Sequence, residues 1–241
     1  ILYLIIGQDY HKNKMFKAKE IEGELKYAVR RQEETIYHRQ LKMTSPALNR
    51  FRDLVLYNLE AGQAVLTDNN DIRIYTDGKE KFHALIEEMK RAKKYIHVQY
   101  YIIRNDEVWQ DIEKVLIEKA HEGVEVRVLF DSMGCRTMHK RDWDRLKCEG
   151  IRVAEFFPAI LGQLQMRVNY RNHRKIVVID GKVGFVGGFN VGREYIGKDE
   201  KFGYWRDTHL CIEGAAVTSL AVRFVPVSYT HLRAHETVLD L

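Results

Sequence analysis

With 241 residues, 45% of them hydrophobic, the chain can build one large or two small domains around a real core, which argues against disorder over most of its length. Thirty-nine Lys and Arg against 34 Asp and Glu leave a net charge of +5, a mild excess that suits an anionic partner without choosing among nucleic acid, anionic lipid and plain solubility. Cys135, Cys148 and Cys211 are odd in number and lack CxxC spacing, which argues against a disulfide framework or a thiolate zinc site and points to a reducing, cytosolic face.

The chain opens on Ile1-Leu2-Tyr3-Leu4-Ile5-Ile6, far short of the roughly 20 apolar residues a membrane span needs. A basic stretch follows, with His11, Lys12, Lys14, Lys17 and Lys19, the pattern expected on the cytoplasmic side of a span. Residues 1–6 are therefore expected to be the remnant of a transmembrane helix, with a buried starting strand as the alternative. Residues 7–65 read as a juxtamembrane, connecting segment. A helix is predicted around 45–60, where Pro46 follows a Ser45 cap and Leu48, Phe51, Val55 and Leu59 share a face.

A domain is expected over 66–224. Ile72-Arg73-Ile74-Tyr75 alternates as a strand and stops at Asp77-Gly78, a turn signal. Phe82, Leu85, Ile86 and Met89 recur at helical spacing and predict an amphipathic helix of about three turns, to Lys93. Residues 95–103 are apolar with little alternation, as in a strand covered on both faces. Next come a helix with Val108, Ile112, Val115 and Leu116 on one side and a strand in which Val124, Val126 and Val128 alternate with charged residues before Asp131. Trp143 and Leu146 sit in a third helix that ends near Gly150, and 151–157 is strand-like again. This β-α-β-α-β-α-β order predicts an α/β fold, an α/β/α sandwich with a mixed, largely parallel central sheet.

The specific chemistry lies between Asn169 and Asp207. His173-x-Lys175-x4-Asp180 is followed by Gly187-Gly188 and Asn190. Residues 174–179 are rich in β-branched side chains and Asp180-Gly181 is a turn signal, so a β-hairpin is predicted, with 183–186 as the returning strand. Side chains two apart on a strand share a face, which points His173 and Lys175 the same way, about 7 Å apart along the chain. A turn centred on Asp180-Gly181 sets His173 opposite Gly188; one centred on Gly181-Lys182 sets it opposite Asn190. Without side chains, Gly187 and Gly188 would let a phosphate approach their backbone N–H groups. A phosphodiester needs cationic and amide groups on its non-bridging oxygens, the expected roles of Lys175 and Asn190. A neutral His173 can attack phosphorus and form a phosphohistidine. Asp207, in Tyr204-Trp205-Arg206-Asp207 at the start of a strand, is the candidate acceptor orienting the other ring nitrogen, while Asp180 is expected to bond backbone and fix the loop.

This pattern resembles the HKD signature of the phospholipase D superfamily. The wording from Asn169 to Lys175, then Ile-Asp-Gly, Gly-Gly-Phe-Asn-Val-Gly and Tyr-Trp-Arg-Asp, is similar to bacterial cardiolipin synthases over about residues 1–224. The resemblance implies phosphatidyl transfer between two phosphatidylglycerol molecules with release of glycerol, without metal or cofactor. It further implies a bacterial cell membrane location with the catalytic domain on the cytoplasmic side, anionic phospholipid as partner, and no nucleic acid. In such enzymes two HKD halves meet, one histidine attacking and the other moving the proton. Here one motif is present, since neither His97 nor His139 has the lysine and asparagine that should follow. The chain therefore reads as a fragment with one half of the site, little active unless it pairs with a second HKD domain or a second copy. A soluble homodimeric phosphodiesterase or nuclease and a non-catalytic remnant are the alternatives.

Plainer readings stand beside these. Arg167 and Arg171 are placed to contact anionic headgroups, though arginines near a hairpin are ordinarily just solvated. Tyr100, Tyr101 and Phe156-Phe157 suit a lipid channel or, more simply, the core. Asp131 ends a strand where ligands approach α/β sheets, and equally suits a cap. Residues 225–241 change character abruptly and read as a non-native tail. His231 and His235 within it lie four apart, but lack an HExxH pattern or third ligand.

Overall fold

The computed structural model describes residues 50–62, 64–156 and 171–224, with isolated positions at 27, 30–32 and 34. The apolar opening, the Ser45-Pro46 helix start, Phe157, Arg167, Asn169, Tyr170 and the His231 and His235 pair lie outside the described residues. A first helix, α1 (Arg52–Gly62), buries Leu59 against Val55, Leu56 and Val65. Then follow β1 (Asp71–Asp77), α2 (Gly78–Lys90), β2 (Tyr95–Tyr100), α3 (Glu107–His121), β3 (Glu125–Asp131), α4 (Lys140–Cys148) and β4 (Arg152–Phe156). The chain continues with β5 (Ile176–Ile179), β6 (Val183–Gly187), a 3-10 turn at Arg193–Ile196, β7 (Arg206–Glu213) and a helix over 216–224.

At Asp77-Gly78, the turn signal that ends β1, the chain passes directly into a helix. Asp77 is the extended N-cap of α2, its carboxylate accepting from the N–H groups of Lys79 at 2.8 Å and Glu80 at 3.2 Å. Gly78 follows because a Cβ there would collide with the Tyr195 carbonyl. Asp106 caps α3 in the same way, accepting from Val108 and Trp109.

The seven strands form one sheet in the order β1-β7-β6-β5-β2-β3-β4. It is mixed, but the expectation of a largely parallel sheet is overturned. Only β2 with β3 and β3 with β4 pair parallel; the other four ladders are antiparallel. The crossovers through α3 and α4 produce the parallel part, as helical crossovers do, while the short connection from β5 to β6 forces the chain back on itself.

Helices cover both faces. On one, Phe82, Leu85 and Met89 of α2 and Ile112 and Leu116 of α3 pack on Val98, Val128, Val177 and Phe185. On the other, Val217, Leu220 and Ala221 pack on Ile176, Val178 and Ile212. This accounts for the unbroken apolar run of β2, whose residues from Ile96 to Tyr100 are all buried.

Candidate active site

The hairpin that carries the motif closes through a three-residue loop. Ile176 pairs with Val186 and Ile179 with Val183, leaving Asp180, Gly181 and Lys182 to turn the chain, the first two at φ 54° and 68°. Both registers predicted for a two-residue turn are therefore off by one. Gly187 N–H donates to the Lys175 carbonyl at 3.4 Å, so Lys175 lies beside Gly187 and His173 precedes the strand proper. At the hairpin tip, away from His173, the Asp180 carboxylate accepts from the N–H groups of Lys93, Lys94 and Tyr95 at 2.8, 2.7 and 2.9 Å. Partial burial opposes its charge, but these backbone donors outweigh that and hold the carboxyl below its ordinary range. Asp180 thereby pins the tip to the start of β2.

His173 is exposed, and its ring lies on Tyr101 with centroids 3.7 Å apart and planes 23° apart. Lys175 Nζ donates to the His173 carbonyl at 2.7 Å and stands 5.4 Å from the centre of the same tyrosine ring. Imidazole and ammonium thus share one neighbourhood. Desolvation and then the Lys175 charge push the His173 imidazole below its ordinary value, against an upward pull from Asp131. The ring is therefore neutral near pH 7, the form a nucleophile needs. Desolvation lowers the Lys175 ammonium too, with Asp207 acting against it.

Asn190 is buried and ties two loops together. Its Oδ1 accepts from Ile102 N–H at 3.0 Å, and its Nδ2 donates to the Tyr195 hydroxyl at 3.0 Å. An amide has two N–H groups, and these bonds use one of them.

The glycines serve a different purpose from the one expected. Gly188 N–H donates to the Thr208 carbonyl at 2.9 Å and Gly187 N–H to Lys175, so neither is a free donor for phosphate. A Cβ on Gly188 would collide with the Asp207 carboxylate, and one on Gly187 would stand 2.7 Å from Cγ of His209. Their missing side chains make room for β7.

Asp207 accepts from Thr208 N–H at 2.7 Å and acts on Lys175. Among the described residues no hydrogen bond joins it to His173, and the carboxylate that pulls on His173 is Asp131. Asp131 is fully buried, accepting from Met133 N–H at 2.9 Å and Asn172 N–H at 3.1 Å. Arg171 is neither solvated nor presented to a headgroup: its side chain is 5% exposed, 3.7 Å from Asp131 and 3.3 Å from the Ser132 hydroxyl.

Two neighbours lie outside the motif: Tyr101, whose sequence suits a channel or the core, and His209, which no motif marks. His209 sits under Gly187, fully buried, with both ring nitrogens lacking a hydrogen-bond partner among the described residues, and burial pushes it down to about 2. The signal for it was present, because Asp207 and His209 are two apart on one strand. Among the described residues no cluster of three or more His, Cys, Asp or Glu could hold a metal ion.

Residues 85–205 match the family model described as cardiolipin synthase, PLD-like domain, about half of the chain. The chain belongs to that family. The resemblance drawn from the wording around His173 is thereby borne out, and the matched stretch holds His173, Lys175, Asp180 and Asn190 while stopping short of Asp207. Cardiolipin synthase 2 of Staphylococcus epidermidis is 46% identical over 226 residues, which are 93% of this chain and 46% of that relative. Cardiolipin synthase of Oceanobacillus iheyensis is 45% identical over 225 residues, 93% of this chain and 47% of the relative. The chain thus spans about half the length of these family members. NucT from Helicobacter pylori shares the fold, with a TM-score of 0.52 at 13% identity over 68% of this chain and 99% of that one.

Proposed function

We propose that this chain carries one catalytic half of a cardiolipin synthase, which joins two phosphatidylglycerol molecules and releases glycerol. The observation that carries the reading is a neutral, exposed imidazole at His173 with the Lys175 ammonium beside it, in a family whose matched relatives are named cardiolipin synthases. A ring nitrogen of His173 gives its lone pair to phosphorus as the P–O bond to glycerol breaks, and the glycerol oxygen takes a proton from a general acid in the opposing half. In the second step the hydroxyl of another phosphatidylglycerol attacks phosphorus, gives its proton to that same group and frees His173. Lys175 and the remaining Asn190 N–H hold the non-bridging oxygens, where charge shifts in the transition state. The steps draw on side chains alone, without metal or cofactor.

Asp207 has a modified role in this reading. It steadies Lys175, and Asp131 rather than Asp207 is the carboxylate that influences the nucleophile. Asp180 acts on the fold of the hairpin and not on substrate.

The opposing half is a second PLD-like unit, in the longer protein or in a second copy of this chain, and the partner surface is anionic phospholipid on the cytoplasmic side of a bacterial membrane. Among the described residues no helix is long and apolar enough to cross a membrane. The test is acid-quench trapping with phosphatidylglycerol labelled at phosphorus, the chain being supplied with a second half carrying its own His-x-Lys set. Acid-labile label at residue 173, lost in His173→Ala, is the expected result. Full labelling of the alanine variant would remove His173 from the chemistry.

A further inference from the structure

Tyr101 directly follows β2, whose buried apolar run suggests a core residue, yet its ring lies against the chemical centre. It faces the His173 imidazole at 3.7 Å and has Lys175 Nζ 5.4 Å from its centre. The backbone beneath it is held from two directions. Its carbonyl accepts from Cys135 Sγ at 3.6 Å and is approached so closely by Gly134 that a Cβ there would collide with it. The next N–H, on Ile102, donates to Asn190. The platform is thus anchored by the same asparagine that belongs to the motif.

A stacked ring restrains the plane of its neighbour while leaving the neighbour's edge free, and both imidazole nitrogens lie on that edge. The stack also acts on charge. An imidazole that donates its lone pair to phosphorus becomes cationic, and the Lys175 ammonium beside it opposes that change. An aromatic face attracts a cation and offsets part of the repulsion.

We propose that Tyr101 is a positioning residue of this site, its ring fixing the plane of the His173 imidazole and stabilising the positive charge that imidazole gains on attacking phosphorus. The inference rests on His173 being the nucleophile, so its test must separate the two.

Phosphoramidate, a small phosphoryl donor that needs no opposing half, is the probe. The N–P bond to His173 forms as the P–N bond to ammonia breaks, and ammonia leaves with a proton from water. Labelling of residue 173 in the whole chain is followed by mass spectrometry in wild type, Tyr101→Phe and Tyr101→Leu, with thermal unfolding as the check on folding. Tyr101→Phe keeps the ring and should label within about twofold of wild type, whereas Tyr101→Leu should slow labelling about threefold to thirtyfold. The His173 imidazole, which feels Lys175 and Asp131, should also titrate lower in Tyr101→Leu by proton NMR, because the face that favours its charged form is gone. Equal rates in wild type and Tyr101→Leu, or an equal loss in both variants, overturn the role of the ring. Absence of label at residue 173 in wild type instead overturns the nucleophile itself.

Discussion

The Asp131 carboxylate accepts the backbone N–H of Asn172 at 3.1 Å, which ties the end of β3 to the residue immediately before His173. Arg171, one residue earlier, packs its guanidinium 3.7 Å from the same carboxylate. A buried acid of this kind holds the segment entering β5, and through it the backbone from which His173 projects.

Replacing Asp131 should therefore act first on stability. Asp131→Ala takes the side-chain acceptor away from two backbone N–H groups, those of Met133 and Asn172, and leaves a carboxylate-sized gap beside a buried guanidinium, an expected loss of about 3 kcal/mol in urea unfolding. Asp131→Asn should lose less. A midpoint for the alanine variant equal to wild type would show that Asp131 bears none of this load.

The pH dependence of His173 reactivity has a definite sign. Its imidazole is lowered, so the neutral ring persists below the ordinary pKa of about 6.5 before protonation removes it. Lys175 contributes to that lowering, and Lys175→Met takes away the charge while keeping much of the bulk. The acid limb of phosphoramidate labelling at residue 173 is expected to move to higher pH in this variant. Movement the other way would mean that the ammonium does not act on the imidazole.

Buried histidines set a second pH dependence, this time of stability. Burial holds His209 down to about 2 and His97 to about 4, whereas both titrate near 6.5 once unfolded. Between pH 6 and 5 the unfolded chain therefore binds protons that the folded chain refuses, and stability falls with falling pH by about 1.4 kcal/mol per unit for each histidine. His209→Leu should remove about half of the slope these two produce, measured as urea unfolding free energy against pH. An undiminished slope would place the proton uptake elsewhere.

Gly188→Ala tests the close approach of β7. The added methyl would collide with the Asp207 carboxylate, which accepts from Thr208 and acts on Lys175, so either the side chain or the strand must shift. An expected cost of about 1–3 kcal/mol, with slower labelling of His173, follows from overpacking at a site without slack. A neutral result in both assays would show that Asp207 swings aside freely.

Local chemistry made much of this protein legible from residues alone. The spacing of Phe82, Leu85 and Met89 marks α2, and the β-branched run before Asp180-Gly181 marks the hairpin, because helix and strand periods are properties of neighbouring residues. His173, Lys175 and Asn190 could be picked out and the family recognised for the same reason: the motif is contiguous. Tertiary structure decided what depends on strands distant in sequence. It made most of the sheet antiparallel, shifted the hairpin register by one, consumed the Gly187 and Gly188 N–H groups in pairing, and brought Asp131 rather than Asp207 to bear on His173. It also laid Tyr101 on the imidazole across 72 positions of chain. Such contacts follow from how strands order and pack in the sheet, and no local period encodes that choice.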